Sequence, residues 1–277
     1  MKNFDSENAS YWQELCGTAA ANSFGFDMST LEGQEKFDVW YVDFYKYLFE
    51  FVDKLEVEDK RVVEIGLGLG TLSRKLASKS KYFVGIDISS KSCQFVDGTL
   101  KQRNLQGQTI NQSILELSPD FNNSFDTGIA IGSLHHTGNL VEAVRSLERL
   151  VRPGGNLLVM VYNEFELRRI MRKPIRTLFH GVQCAFRIKT MWQEDDSVMR
   201  GLNDANLLAE SAPSTAFASK KFFDSVSQQN TIWEVTRNNF HDVSKYHRLL
   251  TRERCLGWPS RLLGPDLYAM GYKSAEI

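Results

Sequence analysis

Arg61-Val-Val-Glu-Ile-Gly-Leu-Gly-Leu-Gly-Thr-Leu72 decides the fold. Val62, Val63 and Ile65 form a short apolar run of the kind that makes a buried strand, and from about Thr71 through Ala77 the pattern turns helical. Glycines at 66, 68 and 70 stand between them. Without a Cβ the chain turns sharply, approaches a ligand closely and leaves amides bare at a helix N-terminus. Strand, glycine turn and helix in this order predict the ligand-holding end of an α/β sheet.

Outward from this stretch the alternation continues. Apolar runs at 62–65, 82–86, 109–110, 127–131 and 157–162 alternate with helical stretches at 71–79, 90–103 and 139–151. That rhythm predicts a mostly parallel, Rossmann-like sheet with helices on both faces. Arg152-Pro-Gly-Gly155 reads as a turn. After an interruption, a helix at 219–228 and strands at 231–236 and 267–272 resume the pattern, with an insertion near 241–262. Seven strands are expected in all.

Residues 1–58 are rich in aromatics. Apolar positions from Phe37 to Phe51 recur at three or four, predicting one amphipathic helix over 35–52, and Ser10 is placed to cap a short helix through Leu15. Two readings stand: a helical layer over a sheet edge, or a segment around Tyr11, Trp12 and residues 16–18 closing over a ligand pocket. Residues 164–192 carry Arg168, Arg169, Arg172, Lys173, Arg176, Arg187 and Lys189 among apolar side chains, with Pro174 and Gly181 expected to break them into short helices. Residues 193–217 are polar and aperiodic. The chain thus divides into a cap (1–58), a ligand-binding core (59–163), a basic helical insertion or lid (164–217) and a C-terminal helix with the last two strands (218–277).

Composition narrows the function. With 277 residues, 42% hydrophobic and a net charge of −1, the chain supports a sizeable core and carries no global basic field for nucleic acid. No apolar run reaches the ~18 residues of a membrane span, and the first residues lack a signal peptide's apolar centre. Cys16, Cys93, Cys184 and Cys255 are scattered without metal-ligand spacing, so no metal is expected and the thiols suit a cytoplasmic protein.

Two ligand classes compete for the glycine turn. A dinucleotide site wants G-x-G-x-x-G, whereas Thr71 occupies the third-glycine position here. Glu64, two residues before the first glycine, would repel a pyrophosphate but accept a hydrogen bond from an ammonium group. That favours a ligand with an amino-acid end. Asp87, at the end of the second strand, stands where an acid binds two ribose hydroxyls, or alternatively caps the next helix.

Val62-Val-Glu-Ile-Gly-x-Gly-x-Gly-Thr, Gly85-Ile-Asp-Ile-Ser, Ser124-Phe-Asp-Thr, Ser133-Leu-His-His-Thr and Leu150-Val-Arg-Pro-Gly-Gly, in this order, resemble the class I S-adenosylmethionine-dependent methyltransferases. Tyr11-Trp-Gln-Glu-Leu-Cys-Gly-Thr and Val161-Tyr-Asn-Glu also resemble a bacterial branch that modifies small molecules or glycans. The resemblance implies an antiparallel final strand. It implies that Glu64, Gly66 and Gly68 hold the methionyl part, Asp87 the ribose and Ile88 the adenine. Ser113 falls where the family usually has an acid near the adenine amino group, with Ile114 next to it. Ile131 and Gly132 would line the sulfonium end.

Methyl transfer needs positioning and exclusion of water, plus a base when the acceptor must lose a proton. His135 and His136, after the fourth strand, are the candidates for that base or are structural. Tyr11, Trp12, Tyr162, Asn163 and Arg168 are candidate substrate contacts. The basic stretch has three readings: a solvated face, a clamp for an anionic acceptor, or contact with an anionic membrane. After the fourth strand the sequence is Ile131-Gly-Ser-Leu-His-His rather than Asp/Asn-Pro-Pro-aromatic, which counts against methylation of nucleic-acid bases. The expectation is methyl transfer to O, N or C of a small molecule, sugar or natural-product intermediate. A nicotinamide-dependent oxidoreductase and a non-catalytic binding module are the alternatives.

Overall fold

A computed structural model describes residues 4–201, 203–227, 230–239 and 257–275. In chain order the elements are α1 (Asp5–Tyr11), α2 (Thr18–Ser23), α3 (Leu31–Phe44), α4 (Lys46–Asp53), β1 (Arg61–Ile65), α5 (Thr71–Ala77), β2 (Tyr82–Asp87), α6 (Ser90–Gln102), β3 (Gly107–Asn111), β4 (Phe125–Ile131), α7 (Leu140–Leu150) and β5 (Val151–Asn163). Then follow α8 (Leu167–Arg172), α9 (Pro174–Ala185), β6 (Met191–Gln193), α10 (Ser197–Gly201), β7 (Ala216–Ala218), α11 (Lys220–Val226), β8 (Thr231–Asn238), α12 (Trp258–Leu263) and β9 (Asp266–Lys273).

Strands β3-β2-β1-β4-β5 lie side by side and parallel. At 13 residues, β5 is long enough to take two partners on its other edge. β9 runs antiparallel along its residues 156–162 and carries β8, while β7 extends the edge at Tyr162 and Asn163 and carries β6. The expected seven strands and antiparallel last strand are therefore present, with β6 and β7 added from the insertion. Period-two alternation sorts the side chains onto two faces. Val62, Phe83, Ile129 and Leu158 pack with Leu48, Leu76 and Val96 of α4, α5 and α6. Their neighbours Val63, Val84, Ala130, Leu157 and Val159 pack with Leu147 and Phe222 of α7 and α11.

Several local expectations are corrected. The helix expected over 35–52 is two helices broken at Tyr45, whose φ of −110° and ψ of 43° leave the helical region. The first helix ends at Tyr11 instead of running from Ser10 to Leu15. Pro153-Gly154-Gly155 is no chain reversal: β5 continues through it as a bulge, its register jumping from Phe125↔Val151 to Thr127↔Asn156. Gly181 does not break α9, because a single interior glycine costs a helix only about 1 kcal/mol. The polar stretch 193–217 holds α10 and part of β7. Much of the insertion expected at 241–262 lies outside the described residues.

Candidate active site

The glycine turn is built as its sequence demands. Gly66, Gly68 and Gly70 have φ of 84°, 51° and 70°, and a Cβ on Gly66 would come within 2.4 Å of the Ser133 Cβ. The turn is tied to β2 by Asp87, whose Oδ2 accepts from the Leu67 amide at 2.7 Å and whose Oδ1 accepts from the Ser89 amide at 2.7 Å. Helix α6 is capped by Ser89, which accepts from the Ser92 amide at 3.3 Å, so Asp87 is not spent on capping. Burial raises the Asp87 pKa against the lowering effect of the backbone amides.

Glu64 is 2% exposed and accepts from Ser73 Oγ at 2.7 Å. Burial pushes its pKa up to about 8; the Ser73 hydrogen bond opposes this, Asp87 adds to it, and Arg74 also opposes it. Arg74 is itself bound to Asp38 of α3, Nε donating to Oδ2 at 2.7 Å, with Nη1 donating to the Leu69 carbonyl at 2.8 Å.

At the carboxyl ends of the strands these groups open into a cavity of about 380 Å³. Glu64, Gly66, Gly68, Asp87, Ile88, Ser113, Ile114, Ile131 and Gly132 all line it, as do Trp12, His136, Tyr162 and Arg168. Tyr11, Asn163 and His135 do not. Tyr11 donates to the Asp204 carbonyl at 2.7 Å, and Asn163 donates to the Gly264 carbonyl at 2.7 Å, so both brace the wall from behind. His135 is fully buried with neither ring nitrogen hydrogen-bonded, and burial followed by the neighbouring His136 holds its pKa well below the usual range.

His136 is oriented by the backbone around it. Its Nδ1 lies 2.8 Å from the Ser214 carbonyl, which can only accept, so Nδ1 carries the proton and Nε2 presents its lone pair when the ring is neutral. Asp204 Oδ2 stands 3.5 Å from Nε2, and Tyr162 donates to Asp204 Oδ1 at 2.8 Å. Taking up a proton at Nε2 would turn this approach into an ion pair. His135, His136 and Asp204 also bring three potential metal-ligand atoms within 4.8 Å of one another.

The sequence reading missed Asp204, Asn203, Tyr41, Tyr45, Asp266 and Tyr268, all on the cavity wall. Asp204 lies in the stretch read as an aperiodic loop, and the tyrosines read as core; no local signal marks them. The basic stretch is divided by the fold. Arg168 reaches the cavity, Arg169 and Arg176 pair with Glu194, and Lys173 pairs with Glu194 and Asp196.

Comparison with known proteins bears on the fold that carries this cavity. Residues 62–155 match the family of methyltransferase domains. The core is a class I methyltransferase domain. Among its relatives, the ubiquinone biosynthesis O-methyltransferase of Dechloromonas aromatica is 29% identical over 119 residues, 41% of this chain and 50% of that protein. The chain thus spans about half the length of that relative. In fold, the methyltransferase domain and its additions resemble the S-adenosylmethionine-dependent methyltransferase of Methanosarcina mazei, with a TM-score of 0.52 at 16% identity over 82% of this chain and 98% of that one. The corresponding protein of Mesorhizobium loti gives 0.51 at 14% identity over 78% and 92%.

Proposed function

We propose that the chain is an S-adenosylmethionine-dependent methyltransferase acting on a hydroxyl of a small molecule. The observation that carries this reading is one cavity holding both a cofactor-type end and a proton acceptor. Glu64 offers a buried carboxylate to an ammonium, Asp87 lies one strand away for ribose hydroxyls, and Ile88 and Ile114 give apolar surface for a flat ring. These residues fit the cofactor, which supplies a methyl group on a cationic sulfur. With the cofactor bound, His136 Nε2 would be the group that receives the proton of the acceptor hydroxyl. Asp204 stabilises the resulting imidazolium, and Tyr162 holds Asp204 in place. Trp12 and the apolar wall keep water out. The hydroxyl acceptor accords with the O-methyltransferase relative and with the presence of a base.

Calorimetry should show binding of S-adenosylhomocysteine and none of NAD; the reverse would overturn the reading. With labelled methyl donor and extracted acceptors, His136→Ala should lower kcat by roughly 10²–10⁴ while S-adenosylhomocysteine affinity holds. Unchanged turnover would remove His136 from the chemistry.

For the basic stretch, a specific observation favours membrane contact over a clamp. Met171, Ile175, Leu178, Phe179, Val182, Phe186 and Ile188 are all exposed, Ile175 by 83% and Leu178 by 74%. No acidic residue occurs between Leu167 and Gln193, and Arg172 and Arg187 are exposed beside this apolar row. An apolar row edged by cations suits the interface of an anionic bilayer. The protein should co-sediment with phosphatidylglycerol vesicles, and Leu178→Glu with Phe179→Glu should abolish this. Failure of the wild type to sediment would count against it.

A further inference from the structure

A second cluster lies away from the cavity, where the chain leaves β5. Glu164 is the first residue after that strand, and His180 and Cys184 stand one turn apart on α9, hence on the same face. All three are buried, at 2%, 2% and 5% exposure. Cys184 Sγ lies 3.4 Å from His180 Nε2 and 3.7 Å from Glu164 Oε1. Glu164 Oε2 is in direct contact with His180 Nε2, so carboxylate, imidazole and thiol converge on one point.

Such convergence is what a tetrahedral metal ion asks for. Ligand atoms at ~2.0–2.3 Å around zinc stand roughly 3.3–3.6 Å apart; both sulfur distances are close to that spacing, while the Glu164–His180 contact is shorter and must open to admit the ion. The other nitrogen of His180, Nδ1, lies 3.2 Å from Gln183 Oε1, which leaves Nε2 for the cluster and fixes the ring as metal-bound imidazoles usually are. A void of about 10 Å³, bordered by Glu164, Thr177, His180, Trp192 and the cations Arg169, Lys173 and Arg176, has room for no more than a single water in the fourth position. A thiolate and a carboxylate together neutralise a dication, while the nearby Arg169, Lys173 and Arg176 are already directed at Glu194. We propose that Glu164, His180 and Cys184 bind one zinc ion, which fastens α9 to the end of β5. The thiolate and imidazole select zinc over magnesium or calcium. Without metal, the Cys184 thiol sits 3.0 Å from the Lys189 carbonyl and donates to it, so binding exchanges that proton for the ion.

Full-length protein, stripped by chelator and titrated with zinc against a chromophoric competitor, should take up about one ion per chain. Cys184→Ser and His180→Gln should each lose that ion, whereas His135→Ala should keep it, which separates this cluster from the cavity. If the variants do not fold, cobalt added to the stripped wild type reports on the same site through a thiolate-to-cobalt charge-transfer band. Absence of that band, no zinc uptake by the wild type, or zinc retained undiminished in Cys184→Ser would each overturn the proposal.

Discussion

At the scale of single residues, Glu64 makes the most exposed prediction. Its folded pKa of about 8 lies above the ordinary 4.5 because burial disfavours the charge. A raised carboxyl pKa contributes stability fully below the unfolded value and loses it as pH rises through the folded value, here between about 4.5 and 8. The ligand-free protein should therefore lose this contribution over that window. An ammonium set against Glu64 reverses the preference, so binding S-adenosylhomocysteine near pH 7 must expel the Glu64 proton. Affinity should then rise by up to about tenfold per pH unit from 6 toward 8 and level off above. Calorimetry in two buffers of different ionisation enthalpy measures the released proton, and Glu64→Gln should abolish both the slope and the release. A flat wild-type profile would mean that no ammonium faces Glu64. Glu64 and Asp87 were legible in sequence because each flanks a glycine turn or a strand end within a contiguous motif. Asp204 was not, because it meets His136 only when distant segments fold together.

At the scale of elements, the strands declared themselves by apolar runs, since both faces of a parallel sheet are buried. What sequence periodicity could not show was the break at Tyr45 or the use of β5 by two partners. Both depend on what packs alongside. The attachment of α3 to α5 was equally hidden, since it rests on polar side chains. Asp38 accepts from Arg74 and, at 2.6 Å, from Thr71 Oγ1, while Arg74 is only 4% exposed. Asp38→Ala leaves a buried guanidinium without its counter-charge and should cost about 3 kcal/mol in denaturant unfolding. Adding Arg74→Met should recover much of that loss, since the uncompensated charge is then gone. If Asp38→Ala is neutral, the pair does not hold the N-terminal layer.

At the scale of the whole molecule, the proposed base and its carboxylate are held by three regions that the sheet alone does not join. Asn8 donates to the His136 carbonyl at 2.8 Å, Tyr11 to the Asp204 carbonyl, and the Leu207 amide to both Glu14 carboxylate oxygens at 3.0 Å. Trp12 packs against the His136 ring with centroids 4.9 Å apart. The N-terminal segment thus pins the His136 turn and the Asp204 loop to each other over the cavity. Of the two readings open for residues 1–58, each has a counterpart: α3 and α4 pack as a layer, while Trp12, Cys16 and Gly17 line the cavity. Removing residues 1–17 should leave the core cooperative in thermal unfolding, since its buried side chains lie beyond them. Turnover should fall by about 10², the scale on which small misplacements of reacting groups act. S-adenosylhomocysteine binding should weaken less, because Glu64 and Asp87 are held by the glycine turn itself. Tyr11→Phe, which removes the hydroxyl's hydrogen bonds to the Asp204 and Glu210 carbonyls and keeps the ring, should lower kcat more than it raises the Kd for S-adenosylhomocysteine. Equal losses in both would make residues 8–17 a wall of the cofactor site instead of a brace for the base.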